Sequence, residues 1–182
     1  MQPILVTNLV LLWIVVLLNL LLTIALIRRF NRMSSFADMD VGLEKGSLAP
    51  DFQAETLTGE TVTLADYARK VVSLIFISPH CSPCLEKIPK LNALAAKAKR
   101  AGVELLLVNT DGDKAETAAF VEKHNVTLPV LIAPSESNMF ARDYKADATP
   151  SYCILNQDSY VEAAGVFEPN WEEQLAQAWA AV

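Results

Sequence analysis

Charge is missing from the start of this 182-residue chain: no Asp, Glu, Lys or Arg precedes Arg28, so all 21 acidic and all 15 basic residues lie in residues 28–182. Glycine is scarce at 6, proline is ordinary at 9, and 52% of residues are apolar, which excludes collagen-like, low-complexity and disordered chains. There is no basic excess. A net charge of −6 argues against nucleic acid as a main partner, because phosphate binding needs clustered Lys and Arg. Three cysteines are too few for a disulfide-stapled miniprotein, so their placement matters more than their number.

What fills the uncharged start is ILVTNLVLLWIVVLLNLLLTIALI, Ile4 to Ile27, whose only polar members are Thr7, Asn8, Asn19 and Thr23. As a helix these residues measure about 36 Å, enough to cross a hydrocarbon core of about 30 Å with some tilt. A cleaved signal peptide needs a basic leading region and a shorter apolar core, and both are missing. The expectation is a retained single-pass anchor over residues 1–30, in contact with the lipid bilayer through residues 4–27. Asn8 and Asn19 lie about three turns apart, a spacing that can face a helical partner in the membrane. Residues 31–45 show no periodicity and read as a tether.

From residue 46 onward short apolar runs alternate with helical patterns. VVSLIFI (71–77), VELLLVN (103–109), LPVLIA (128–133) and SYCILN (151–156) read as strands buried on both faces. Ser82–Arg100, Lys114–Asn125 and Ser137–Tyr144 read as the helices between them. That alternation predicts an α/β sheet covered by helices. Residues 52–64 are two alternating stretches around Thr58-Gly59, a hairpin signal; Tyr160–Val166 reads as a last strand. A final helix from Trp171 to Val182 puts Trp171, Leu175, Trp179 and Val182 on one core-facing stripe.

The chemistry-bearing motif is Cys81-Ser82-Pro83-Cys84, directly after one of these strands and opening the longest soluble helix. Two sulfurs three residues apart on a first helical turn can reach each other, and free N–H groups with the helix dipole stabilise a thiolate on the earlier one. Cys81 is then the attacking nucleophile, and Cys84 resolves the mixed disulfide. Pro83 suits the first turn, where its missing N–H costs nothing. The competing reading is half of a zinc site, for which the remaining ligands would be Cys153, His80 and His124, with no second close pair. A C-x-x-C between strand and helix is the redox arrangement, so no metal or other cofactor is expected. Cys153, inside an apolar strand, reads as a small core residue.

These residues resemble the thioredoxin superfamily, in particular its membrane-anchored TlpA/ResA-like branch, over about residues 46–182. The stretch Ala49-Pro50-Asp51-Phe52 followed by Leu64-Ala65-Asp66-Tyr67 is similar to the entry segment of redoxin-type members. Pro89 matches the proline that kinks the active-site helix, and Thr149-Pro150 matches the cis-proline loop that lies against the cysteines and presents backbone to substrate. The resemblance implies a thioredoxin-like fold, a mixed central sheet flanked by helices with an amino-terminal β-hairpin extension, and Thr149 and Pro150 as substrate-binding residues. An X-Pro bond adopts cis for only about 0.5–1 kcal/mol. His80 departs from the family, which carries Trp there; an imidazolium beside Cys81 favours the thiolate and makes His80, with Pro83, a modulating residue. Lys87 stands where ResA-like proteins often carry Glu. The anchor, arginine flank, tether and entry segment are also similar to MauD-like thioredoxins of methylamine utilisation.

The expected function is a membrane-tethered thiol–disulfide oxidoreductase that reduces or isomerises disulfides. Its partners are proteins with cysteines and a membrane or soluble thiol donor. An accessory or assembly subunit of a larger membrane complex is the alternative. A thiol peroxidase is disfavoured, since the Pro-x-x-x-Thr-x-x-Cys pattern is missing: seven residues before Cys81 and Cys84 stand Leu74 and Ile77. Arg28, Arg29 and Arg32 after the anchor point the domain toward the cytoplasm. Disulfide chemistry and the resemblance point to the extracytoplasmic side, which is the expectation adopted.

Overall fold

The computed structural model describes the backbone of residues 2–34 and 41–180. The chain divides into two compact units, Met1–Asp40 and Val41–Val182.

The described residues of the first unit form α1 (Gln2–Ser34). Its side chains are described at Leu9 and over residues 11–27, all exposed. Among the described residues no helix is long and apolar enough to cross a membrane, so the span expected over 4–27 is a helix here but not an established crossing. The tether expected over 31–45 falls partly on residues 35–40, outside the described residues. Its start, up to Ser34, continues α1. Its far end is tied down: the Gly42 amide donates to the Lys145 carbonyl at 2.9 Å.

The second unit is a seven-stranded mixed sheet. Its strands are β1 (Gln53–Thr56), β2 (Thr61–Thr63), β3 (Val71–Ile77), β4 (Val103–Asn109), β5 (Val130–Ile132), β6 (Ser151–Leu155) and β7 (Val161–Val166), in spatial order β2-β1-β5-β4-β3-β6-β7. β3 pairs parallel with β4, and β4 with β5. β6 runs antiparallel to β3, and β7 to β6. The predicted hairpin forms around Thr58-Gly59 and joins the sheet through an antiparallel β1–β5 pair. β3 is buried at every position, because helices or loops cover both faces of the sheet's centre.

One face carries α2 (Ser82–Arg100), α3 (Lys114–Lys123) and α5 (Trp171–Ala180). Ile75 and Ile77 of β3 meet Cys84, Ile88 and Leu91 of α2 and Trp171, Leu175 and Trp179 of α5, the stripe expected from the sequence; Val182 lies outside the described residues. The other face carries the entry segment and the four-residue α4 (Phe140–Asp143), whose Phe140 and Tyr144 close over Phe52 and Phe76.

The helix expected from Ser137 to Tyr144 is shorter because Asn138 works as its entry instead of a helical residue. Its Oδ1 accepts from the Phe140 amide at 2.9 Å and its Nδ2 donates to the Gln53 carbonyl at 2.7 Å. α3 begins with a reciprocal cap: the Glu116 amide donates to Asp113 Oδ1 at 2.9 Å, and the Asp113 amide to Glu116 Oε2 at 3.3 Å. Asp113→Ala is expected to destabilise the domain by about 1 kcal/mol, read as a lower urea midpoint at unchanged slope.

Candidate active site

β3 delivers the chain to the cysteines through the turn Ser78-Pro79-His80, closed by the Cys81 amide donating to the Ser78 carbonyl at 3.1 Å. Cys81 is the cap of α2, with extended backbone at φ −91° and ψ 102°. Its Sγ accepts from the Cys84 amide at 3.3 Å, the capping role that Ser or Asp oxygen usually fills. Pro83 sits in the first turn, where no helical donor is lost. Pro89 lies inside α2, which continues through it.

Cys81 and Cys84 are joined as a disulfide, with Cα atoms 5.2 Å apart. Their environments differ. Cys84 is fully buried under the helix, whereas Cys81 is partly exposed at its amino-terminal end. In the reduced protein a sulfur at Cys81 keeps an N–H donor and the positive end of α2, both of which favour its thiolate.

The Thr149–Pro150 bond is cis. This loop stands against the disulfide, with the Thr149 carbonyl oxygen 3.4 Å from Cys81 Sγ. It is held from behind by the end of β7: the Phe167 amide donates to the Pro150 carbonyl at 3.2 Å. Phe167 stacks on Trp171 at 4.6 Å and meets Tyr152 at 5.8 Å, so an aromatic layer supports the proline. Burial, then the Glu168 carboxylate, raises the Tyr152 phenol above its ordinary pKa and keeps it neutral. Cys81, Cys84, Thr149 and Pro150, separated by up to 69 positions in the sequence, therefore share one site.

His80 lies on the turn directly before Cys81. Its imidazole is 69% exposed, and its Nε2 stands 4.0 Å from Asp111 Oδ2. Ser78 Oγ donates to the same carboxylate oxygen at 3.0 Å and accepts from the His80 amide at 3.1 Å. Asp111 and Ser78 are the residues that the motif reading missed. The available signal was position: Asp111 follows the carboxyl end of parallel strand β4, where α/β folds place their sites.

The zinc candidates are not brought together. Cys153 packs in the core of the face opposite Cys84, and His124 rests against Phe120 at 5.2 Å at the end of α3. Among the described residues no group of three or more His, Cys, Asp or Glu is placed to hold a metal ion. Burial pushes the Cys153 thiol up to about 12, so at neutral pH it remains an unreactive core group. A groove of about 410 Å³ runs from Thr149 and Ser78 past Asp111 to Arg142 and Asp147. A larger cavity of about 750 Å³ lies along β1 and α4 and includes none of the cysteine-site residues.

Residues 46–164 match the model of the AhpC/TSA family. The thioredoxin-like protein YneN of Bacillus subtilis is 28% identical over 135 residues, covering 73% of this chain and 78% of that protein. The thiol-disulfide oxidoreductase ResA of Oceanobacillus iheyensis is 30% identical over 138 residues, covering 73% and 70%. Among solved structures, a candidate thiol:disulfide interchange protein DsbE from Chlorobium tepidum superposes with a TM-score of 0.69 at 30% identity, over 76% of this chain and 97% of that one.

Proposed function

The chain belongs to the AhpC/TSA family and is a thiol–disulfide oxidoreductase, and from that premise we propose that it is membrane-tethered and reduces or isomerises disulfides of neighbouring proteins. The observation that carries this reading is the asymmetry of the pair: a partly exposed Cys81 that caps α2, joined to a buried Cys84 one turn inside. Cys81 attacks and Cys84 resolves. The Thr149 and Pro150 backbone lines the approach, so a substrate segment passes there in extended form. A membrane or soluble dithiol returns the pair to its reduced state.

Residues 4–27 form the anchor, the tether is confined to the stretch between the end of α1 and Val41, and the catalytic domain begins at Val41. Twenty-four residues with no charge, on a helix described from Gln2 to Ser34, support that assignment. The domain lies on the extracytoplasmic side, where protein disulfides form and persist. After Arg28, Arg29 and Arg32 are set aside, 12 basic residues remain against 21 acidic ones, so the chain beyond the flank carries −9.

Labelling of Cys81 by a membrane-impermeant maleimide in intact cells tests sidedness and resting redox state together. We expect labelling after mild reduction without lysis. Labelling that requires lysis would place the domain on the cytoplasmic side.

A further inference from the structure

We propose that Asp111 is a positioning residue for the active site: its carboxylate, which accepts from Ser78 Oγ, offsets the charge of the neighbouring His80 imidazole and so restrains the thiolate of Cys81. This inference rests on the assignment of Cys81 as the attacking sulfur. Ser78 and His80 belong to the turn that delivers Cys81, whereas Asp111 arrives from the loop after β4, and the parallel β3–β4 pair brings the two ends together. The loop is itself built firmly. The Thr110 amide donates to the Ile77 carbonyl at 3.0 Å, and Asn109, fully buried, donates through Nδ2 to Thr117 Oγ1 at 2.7 Å. Gly112, at φ +80°, turns the chain immediately after Asp111, and a side chain there would collide with Glu116. A carboxylate thus stands 4.0 Å from the imidazole of the residue that directly precedes the reactive cysteine.

The charge consequence follows from the pairing. An unpaired imidazolium next to Cys81 would favour the thiolate, but one beside Asp111 presents less net charge to the sulfur. The other charged groups facing this groove are Glu136, Arg142 and Asp147, and α2 contributes Glu86 and Lys87 beyond its first turn. Asp111 is the one of these that the structure places in an ion-pair contact with His80.

The test uses the reduced full-length protein, alkylated with iodoacetamide from about pH 5 to 9, the range spanning ordinary histidine and cysteine titration. Carbamidomethylation of Cys81 is followed by mass spectrometry. At the acid end of this range Asp111→Asn is expected to speed Cys81 alkylation about three-fold, within the roughly five-fold that an exposed ion pair supports. The acceleration should vanish when Asp111→Asn is compared with wild type in a His80→Gln background, and Asp111→Glu should return the rate toward wild type. An equal acceleration with glutamine at position 80 would overturn the inference, because Asp111 would then act on the sulfur without His80. An unchanged rate in Asp111→Asn would overturn it as well. A protein in which Cys84 alkylates in place of Cys81 would instead overturn the assignment of the attacking sulfur.

Discussion

Cys81→Ala is expected to bring disulfide-exchange turnover down to the uncatalysed background, while Cys84→Ala is expected to stop the reaction halfway and accumulate mixed disulfides. The exchange requires two displacements. The Cys81 thiolate attacks one sulfur of the substrate disulfide, forming a Cys81–substrate bond and releasing one substrate thiolate, which takes up a proton. The Cys84 thiolate then attacks Cys81 Sγ, forming the Cys81–Cys84 disulfide and releasing the second substrate thiol. The substrate gains two electrons and the enzyme dithiol loses two. Without Cys81 neither displacement begins, because Cys84 is buried against Ile88 and Leu91 and a protein substrate has no path to it. Without Cys84 the first displacement proceeds and the second has no nucleophile: Cys153 is in the core of the opposite face, with its thiol pushed up to about 12. Non-reducing electrophoresis of membranes carrying the Cys84 variant should show adducts that dithiothreitol dissolves. Their absence, alongside wild-type turnover elsewhere, would sink a simple exchange mechanism.

Parts of this site were legible in the sequence for physical reasons. A buried parallel strand must be apolar throughout, so β3 and β4 announce themselves as VVSLIFI and VELLLVN with the bounds the structure gives. A C-x-x-C between such a strand and an amphipathic segment admits few placements, and Cys81 falls at the cap of α2 as expected. Thr149 and Pro150 were found through resemblance, not through spacing, since nothing local says that they lie 3.4 Å from a sulfur 68 residues earlier. Asp111 had no motif to carry it. Its meeting with His80 depends on β3 and β4 lying side by side with Ile77 opposite Asn109, a register that neither segment states alone.

The same limit explains α4. Eight residues with a mixed pattern read as two turns of helix, yet Asn138 satisfies a backbone carbonyl of β1 85 positions away and so leaves the helix only four residues. A side chain committed to a distant strand decides where the local element begins.

That short element nonetheless carries a large expected stability effect. Phe140 is 2% exposed and lies parallel to Phe52 with ring centroids 4.0 Å apart. It meets Tyr144 edge-on at 4.8 Å and Phe76 at 5.4 Å. Four aromatic rings thus tie the entry segment, β3 and α4 together on the sheet face opposite the disulfide. Removing the central ring leaves a cavity that its neighbours cannot fill, because Phe76 is fixed by the sheet and Tyr144 by its hydroxyl donating to the Pro50 carbonyl at 2.8 Å. Phe140→Ala is therefore expected to destabilise the domain by about 3–5 kcal/mol, out of the roughly 5–15 kcal/mol available to a domain of this kind. Phe140→Leu, which refills most of the volume, should recover much of the loss. Urea unfolding of the full chain followed by tryptophan fluorescence measures both. A midpoint unchanged by the alanine would mean that the entry segment is not held by this cluster. Under conditions where the variant remains folded, its Cys81 alkylation profile should match wild type, since α2, α5 and the cysteines pack on the other face.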